Sequence, residues 1–271
     1  MENVMEMDSE TFRRMQLIEL EILTEVDRIC RKNNIKYNLC AGTLLGAVRH
    51  KGFIPWDDDV DIRMLHSEYV RFKKACETDL DTECFFLQDF DSDPKYRWGY
   101  AKVLKKGTTY IRTGQEDLGM KNGVWIDIFI SDGIPEHPWA QWLHGQYCFA
   151  IRKILWSPVG AKVSKSRALR AWYFLLSKIP RCVPVFGIKL SRKLFPEEKS
   201  KAVVALTFPH YIEGFRRELL EELTELEFEG HMFFVPKDWD EWLCAAFGPD
   251  YMELPPPEER IPHNGASYYD F

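Results

Sequence analysis

Four aspartates within five residues are the part of this sequence that most directly predicts chemistry. They are Asp57, Asp58, Asp59 and Asp61. An apolar residue lies between Asp59 and Asp61, and another follows Asp61. Because successive side chains of a strand point to opposite faces, this alternation predicts a β-strand with Asp57, Asp59 and Asp61 on one face. Carboxylates ~4 Å apart repel by about 4 kcal/mol per pair at an effective dielectric constant of ~20, so a cation is expected among them. Mg²⁺ or Mn²⁺, which prefer oxygen ligands, is the predicted metal, with Asp59 and Asp61 as ligands.

A run of aspartates is also common on solvated loops, and this alternative stays open at the level of the sequence. The neighbouring residues argue against it, because Ile54, Trp56, Val60 and Ile62 are apolar and a solvated loop would not carry so many large apolar side chains. The aspartates are therefore interpreted as part of a folded site.

A turn of small residues precedes the aspartates. Ile35, Tyr37 and Leu39 alternate as a strand, and the apolar residues at 44–48 indicate a short helix after the turn. Gly42 lets the backbone approach a phosphate closely, and the first N–H groups of a helix are unpaired donors that favour an anion. Gly42 and Thr43 are therefore predicted to hold a phosphate beside the metal.

A further aspartate lies within the most apolar strand of the chain. Residues 124–130 alternate so that Asp127 shares a face with Trp125 and Phe129. A carboxylate in such a strand is either satisfied by backbone N–H groups in the core or kept for function. The functional interpretation makes Asp127 a third metal ligand or the general base, on a strand beside the one that carries Asp59 and Asp61.

Three other side chains are weaker candidates for binding an anionic donor. Arg49 is suited to holding a phosphate with two hydrogen bonds, although it fits an ordinary surface arginine equally well. Lys102 alternates into a strand and so faces either the site or solvent at a sheet edge. Trp56 is suited to stacking on a base or to lining a choline-like cation, and core packing is the common alternative.

The order of turn, connection and aspartate strand resembles the nucleotidyltransferase fold, in which a Gly-Ser turn precedes an Asp-x-Asp or Asp-x-Glu pair that holds the metal of a nucleotide. Within that fold the chain resembles the LicD/fukutin family over residues 33–64, 122–135 and 228–260. Thr43 stands where serine is usual, and fifteen residues (44–58) separate the turn from Asp59. Both departures are typical of the LicD branch.

The resemblance implies a metal-dependent phosphotransferase. Such an enzyme moves a phospho-alcohol, phosphocholine being the first hypothesis, from a CDP-linked donor such as CDP-choline to a hydroxyl of a glycan, and it releases CMP. The acceptor would be a cell-surface or lipid-linked glycan such as teichoic acid or lipopolysaccharide. Asp59, Asp61 and Asp127 would be catalytic, and the resemblance also suggests that Arg260 and His263 near the C-terminus reach the nucleotide. A lone histidine near a C-terminus is more often simply exposed.

Two other functions stay open. A nucleotidyltransferase that passes a nucleoside monophosphate from a nucleoside triphosphate shares the same core chemistry. A non-catalytic nucleotide-binding module is the second alternative, and it ranks last because Asp59, Asp61 and Asp127 are all present.

The predicted elements form an α/β (α+β) fold with a nucleotidyltransferase-like mixed sheet flanked by helices and a helical insertion. A helix capped by Asp8 or Ser9 is predicted to run to about Lys32 and another over 67–78. Further predicted elements are strands over 57–62, 85–90, 98–104, 108–112 and 124–130, and helices that dominate from 137 to about 225. We predict a catalytic core over 1–136, a basic helical subdomain over 137–225, and a C-terminal segment over 226–271 that returns to the core.

Composition places this protein in a reducing compartment. The 271 residues include seven cysteines, none in a Cys-x-x-Cys pair, which argues against a disulfide scaffold or a zinc ribbon. The N-terminus is acidic without an apolar stretch, and no run of ~20 apolar residues suggests a transmembrane helix. The cytoplasm is the predicted location, and no nucleic-acid partner is expected for a chain with a net charge of −6.

Charge is distributed unevenly along the chain. Residues 137–196, here called the acid-free segment, hold no aspartate or glutamate, where the overall share of 42 in 271 would put about nine. They hold eleven arginines and lysines interleaved with aromatic residues, a composition typical of a segment bound to an anionic membrane surface. The equal alternative is a helical cap whose basic face attracts an anionic substrate. Membrane binding would place the protein at the inner face of the membrane.

Overall fold

The computed structural model describes residue 5 and the ranges 7–207, 214–262 and 265–271. Its strands are β1 Asn38–Leu39, β2 Asp61–Leu65, β3 Phe85–Gln88, β4 Ala101–Lys105, β5 Thr109–Arg112, β6 Trp125–Gly133, β7 Ala202–Ala205, β8 Phe215–Arg216, β9 Leu223–Phe228, β10 His231–Pro236 and β11 Ala266–Asp270. Its α-helices are α1 Ser9–Lys32, α2 Ala41–His50, α3 His66–Asp79, α4 Pro138–Val163, α5 Arg167–Leu176, α6 Cys182–Leu194, α7 Glu218–Glu221 and α8 Trp239–Phe247. Short 3₁₀ turns cover Glu197–Lys199 and Pro257–Glu259.

A seven-stranded mixed sheet forms the centre of the core. Its strands follow the order β1, β2, β6, β4, β3, with β7 beside β6 and β8 beside β7. Only β2 and β6 are parallel among the paired strands described, and the other pairs are antiparallel. The predicted α/β (α+β) class, a mixed sheet flanked by helices, is therefore confirmed.

Strand β6 is the most deeply buried element of the sheet. All nine of its residues are buried, because β2, β4 and β7 pair with it along its edges and helices α1 and α3 pack against it. The apolar run at 124–130 predicts this strand, since burial on both faces favours branched apolar residues. The strand continues three residues beyond the predicted end.

Helices α1 and α3 confirm the sequence interpretation closely. Asp8 caps α1 by accepting a hydrogen bond from the backbone N–H of Thr11 at 2.7 Å, and the helix ends at Lys32 as predicted. Its apolar face buries residues such as Ile22 and Val26, each contributing about 1.5–3 kcal/mol. Helix α3 begins one residue before its predicted start and ends one residue after its predicted end.

The prediction of a strand over 57–62 is wrong in its first part. The ladder begins at Asp61, and the preceding residues form a loop. The backbone of Asp57 is already engaged there, since its N–H donates to Ile54 and its carbonyl accepts from the Gln16 side chain at 3.0 Å. The turn before it also differs, because helix α2 starts at Ala41 and so includes the turn residues in its first turn.

The helical region predicted to extend to about residue 225 is also too long. The three large helices α4, α5 and α6 end at Leu194, and the chain rejoins the sheet as β7 at Ala202. After β8 and α7, strands β9 and β10 form a hairpin and α8 packs against α2. Strand β11 pairs with β5, so the end of the chain returns to the core. The division into three regions stays a prediction.

Candidate active site

Strands β2 and β6 bring the predicted carboxylates together. The two strands run parallel with Asp61 opposite Asp127. One oxygen each from Asp59, Asp61 and Asp127 lies within 4.8 Å of the others, and Asp57, Asp58 and Asp59 form a second group of the same size. The structure thus brings together the three aspartates that the sequence analysis places on neighbouring strands, and their role as metal ligands stays a prediction. Asp58 joins the second group because the loop before β2 does not alternate as a strand would.

Burial and crowding make these carboxylates unfavourable as free anions. Burial, followed by the charges of Asp59 and Asp127, raises the pKa of Asp61 well above its usual value, and its Oδ1 atom has no hydrogen-bond partner within the described part of the chain. Burial and the charges of Asp59 and Asp58 raise the pKa of Asp57 to about 8. An oxygen-only cluster with an unpartnered buried oxygen fits a hard divalent cation such as Mg²⁺ or Mn²⁺.

Lys102 faces the carboxylates from the next strand of the sheet. Its residue pairs with Asp127 across β4 and β6, and its Nζ atom lies 3.3 Å from Asp127 Oδ1, an ion pair without well-aligned hydrogen-bond geometry. The same ammonium lies 3.5 Å from the centroid of the Trp125 ring. Burial lowers the pKa of Lys102 to about 8 although Asp127 opposes this. The alternative of an exposed edge lysine is wrong, because β4 lies inside the sheet and the side chain is buried.

Arg112 is a second cation at the cluster that sequence reasoning missed. Its Nη2 atom lies 3.6 Å from Asp59 Oδ2 and 3.8 Å from Asp58 Oδ2. Burial lowers its pKa, but the charges of Asp59 and Asp58 outweigh this effect and raise it. The residue sits at the end of β5, outside the central sheet, and no local sequence signal marks it.

Glu19 is another buried carboxylate beside the aspartates that sequence reasoning missed. Burial, followed by the charges of Asp59, Asp58 and Asp57, raises its pKa well above the usual value, and none of the described residues forms a hydrogen bond with its Oε2 atom. Its position four residues after Met15, on the apolar face of α1, was an available signal.

Thr43 and Gly42 fix the loop of aspartates to helix α2. Thr43 is buried, and its Oγ1 atom accepts a hydrogen bond of 2.8 Å from the backbone N–H of Asp61, so it holds the start of β2 in place. A methyl group at Gly42 would overlap the carboxylate of Asp57. Gly42 therefore allows that carboxylate to lie directly against the first turn of α2.

A groove of about 620 Å³ opens on the α2 side of the carboxylates. Gly42, Arg49, Trp56 and Asp57 line it, so it brings together three of the predicted donor-binding residues. The Arg49 guanidinium donates to the carbonyls of Tyr251 and Glu253, both at 3.0 Å, and so holds the C-terminal segment against the groove. Arg260 lies over the Trp56 ring at 5.8 Å, whereas the predicted residue His263 lies outside the described residues.

A smaller cavity of about 200 Å³ lies between strand β4 and helix α4. Its wall includes Lys102 and Arg112 from the site and Arg152 and Trp156 from α4. Arg97 fastens α4 there, because its guanidinium donates to the carbonyls of Leu155 at 3.0 Å and Ile154 at 3.4 Å. Pro158 has no N–H, so the Ile154 carbonyl is open to this bond. Part of the acid-free segment thus caps the site.

Comparison with known proteins finds one family and one relative of nearly equal length. Residues 34–159 match the family model described as LicD/FKTN/FKRP, nucleotidyltransferase domain. The chain is 32% identical over 267 residues to the lipopolysaccharide cholinephosphotransferase LicD of Haemophilus influenzae. This alignment covers 94% of this chain and 96% of the relative. Two uncharacterized proteins match over 54 residues, which is 20% of this chain. The protein of Rickettsia typhi is 46% identical over 18% of its own length, and that of Rickettsia prowazekii is 44% identical over 20% of its own length.

Proposed function

Because the chain belongs to the LicD family, we propose that it is a phosphotransferase that moves phosphocholine from CDP-choline to a hydroxyl of a lipopolysaccharide-type glycan and releases CMP. The relative of nearly equal length is a lipopolysaccharide cholinephosphotransferase, which supports the group transferred and the class of acceptor. The single observation that carries the proposal is the meeting of Asp59, Asp61 and Asp127 at the parallel pair β2 and β6. This is the arrangement expected of a nucleotide-dependent site in a nucleotidyltransferase domain.

Asp59, Asp61 and Asp127 would hold the divalent metal. When bound, Mg²⁺ or Mn²⁺ neutralises the diphosphate of the donor and the charge that builds on the departing CMP. Thr43 orients Asp61 by accepting a hydrogen bond from the backbone N–H of Asp61, and Gly42 leaves room for the Asp57 carboxylate. The protein thus supplies a fixed set of oxygens that need not rearrange when the donor binds.

Lys102 and Arg112 would neutralise the phosphate oxygens that the metal does not reach. Both lie at the carboxylates and both line the smaller cavity. Cations that already stand where negative charge develops stabilise the transition state more than the ground state. The acceptor hydroxyl would enter from this cavity, which shares no lining residue with the groove.

The nucleotide half of the donor would lie in the groove beside α2. Trp56 offers a ring for stacking on the cytosine base, and Arg260 over that ring adds a positive charge suited to a phosphate. The same positive charge would repel a choline ammonium at Trp56. Of the two predicted roles of Trp56, stacking on the base is therefore favoured over lining the choline. Arg49, fixed to the C-terminal segment, would support this wall of the groove rather than bind the phosphate freely.

The free thiols of all seven cysteines support a cytoplasmic location for this reaction. None of the helices in the described part of the chain is long and apolar enough to cross a membrane.

A thermal-shift screen tests the proposed donor. CDP-choline, CDP-glycerol, CDP-ribitol and nucleoside triphosphates are added with and without Mg²⁺, because a bound ligand raises stability by about 2.7 kcal/mol at a hundred times its Kd. We expect CDP-choline to stabilise the protein only with Mg²⁺. Stabilisation by nucleoside triphosphates alone would support a nucleotidyltransferase, and stabilisation by CDP-choline without any turnover would support a binding module.

A further inference from the structure

The helices of the acid-free segment expose an unusual concentration of large apolar side chains. Twenty-two such side chains are exposed in the described part of the chain, and thirteen of them fall within residues 139–194. The thirteen are Trp139, Trp142, Leu143, Tyr147, Phe149, Leu169, Trp172, Phe174, Leu175, Val183, Phe186, Leu190 and Leu194. A monomeric protein rarely keeps so many together on its surface unless they contact something.

Helix α6 carries four of these residues as one stripe. Val183, Phe186, Leu190 and Leu194 follow helical spacing, and Phe186 and Leu194 are 67% and 61% exposed. The opposite face of α6 packs against α4 and holds the helix to the core, where Arg192 forms an ion pair with the buried Asp132 at 2.7 Å. The stripe therefore faces outward on a helix whose other side is fixed.

An apolar groove of about 490 Å³ runs between α4 and α6 beside this stripe. Trp139, Leu143 and Tyr147 form one wall, and Leu190 and Leu194 the other. Within the groove His144 Nε2 lies 2.7 Å from Ser191 Oγ, and the Tyr147 hydroxyl donates to the Gly187 carbonyl at 2.9 Å. These polar groups are therefore engaged, and the remaining lining is mostly apolar and suits hydrocarbon.

Lysines border the apolar stripe of α6. Lys189 and Lys193 are exposed, stand next to Leu190 and Leu194 in sequence, and lie along one edge of the stripe. Lysines of this kind extend their ammonium groups to lipid phosphates while their stems cover apolar surface. The acid-free segment adds no carboxylate to repel an anionic surface, whereas the rest of the chain is strongly acidic.

We propose that the α4–α6 face binds an anionic phospholipid bilayer, with the apolar stripe of α6 inserted among the lipid headgroups and Lys189 and Lys193 on the phosphates. Binding is interfacial and does not require a membrane span. The same α4 helix covers the cavity that holds Lys102 and Arg112. Under the proposed function, docking brings the enzyme to the bilayer in which a lipid-linked acceptor is anchored; the binding itself does not rest on that function.

Vesicle co-sedimentation of the full chain tests this surface. We expect binding to vesicles of phosphatidylcholine with phosphatidylglycerol, weak binding to phosphatidylcholine alone, and release at ~1 M salt, where charges are screened within ~3 Å. Phe186→Ser with Leu194→Ser should lower the vesicle partition coefficient by about tenfold or more, because two apolar side chains no longer enter the bilayer. Lys189→Glu with Lys193→Glu should lower it by at least about fivefold per lysine on anionic vesicles, because each change removes an attracted charge and adds a repelled one.

Leu17→Ser with Val70→Ser is the matched control, because it removes two exposed apolar residues from α1 and α3. It should leave vesicle binding unchanged. Thermal shift with CDP-choline and Mg²⁺ should be the same for all three variants, so a failed donor assay would count against the proposed function and not against the surface. In the unmodified protein, lipids brominated near the headgroup should quench the emission of exposed tryptophans only in anionic vesicles.

Three results would overturn the proposal. One is equal binding to neutral and anionic vesicles that salt does not weaken. Another is equal loss in the control variant. The third is a stable dimer in light scattering that dissociates on Phe186→Ser with Leu194→Ser, which would make this face an interface between copies of the chain.

Discussion

Replacing Asp61 by asparagine should make the metal-free protein more stable and the metal-bound protein less so. Asp61 is half-buried, its Oδ1 atom is buried with no hydrogen-bond partner among the described residues, and its pKa is well above the usual value. At pH 7 the unfolded chain carries this group as an anion, so the fold must either hold the anion or bind a proton. Asparagine has nearly the same shape and needs neither.

The size of the effect has a firm upper limit. Taking up a proton costs about 1.4 kcal/mol for each pH unit above the unfolded pKa of ~3.9, which is about 4 kcal/mol at pH 7 and about 1.5 kcal/mol at pH 5. At 2–4 °C per kcal/mol for a chain of this size, Asp61→Asn should raise the metal-free Tm by at most roughly 8–16 °C at pH 7 and by less at pH 5.

Thermal unfolding with EDTA or with Mg²⁺, each at pH 5 and pH 7, measures this prediction. The unmodified protein should gain stability with Mg²⁺, and Asp61→Asn should lose most of that gain. Asp117→Asn is the control, because Asp117 is an exposed carboxylate in a surface ion pair with Lys162 and should leave both curves unchanged. A lower metal-free Tm for Asp61→Asn, or a full Mg²⁺ shift, would refute the reasoning.

Three further predictions follow from the charges of the structure. The metal-free protein should lose stability as the pH rises from about 4 to about 8, because the fold keeps a proton on Asp57, whose pKa is raised to about 8, whereas the unfolded chain gives that proton up above about pH 4. Saturating Mg²⁺ should flatten this decline in thermal scans. Arg112→Gln should lower turnover by roughly 10²-fold in a CMP-release assay, and an unchanged rate would remove it from the site. Arg192→Met should cost roughly 3–5 kcal/mol in urea unfolding because it leaves Asp132 buried without its partner. Arg216→Met, which breaks a solvent-exposed pair with Glu241, is the control and should leave the urea midpoint nearly unchanged.

The central part of the site could be predicted because it depends on local patterns. Alternating apolar residues and a nine-residue buried strand indicate β2 and β6, and two apolar strands of this kind favour parallel pairing. Once they pair, Asp61 and Asp127 lie side by side. The helix caps and the length of α1 follow from equally local signals.

The rest of the site depends on contacts between distant parts of the chain. Arg112 reaches the carboxylates from β5, which pairs with the C-terminal strand β11 outside the central sheet. Arg152 reaches the cavity only because Arg97 fastens α4 over it. The loop before β2 fails to alternate because its backbone bonds to α1 and to its own turn. Alternation and propensity carry no information on such contacts.

Product analysis by ³¹P NMR tests the central claim most directly. The protein is incubated with CDP-choline, Mg²⁺ and a lipopolysaccharide acceptor, and the same reaction is run with EDTA and with Asp59→Asn. We predict CMP and a new phosphodiester in equal amounts, abolished in both controls, since Asp59 belongs to both carboxylate groups. Transfer that persists with EDTA or in Asp59→Asn, or pyrophosphate release from a nucleoside triphosphate in place of CMP, would contradict the account.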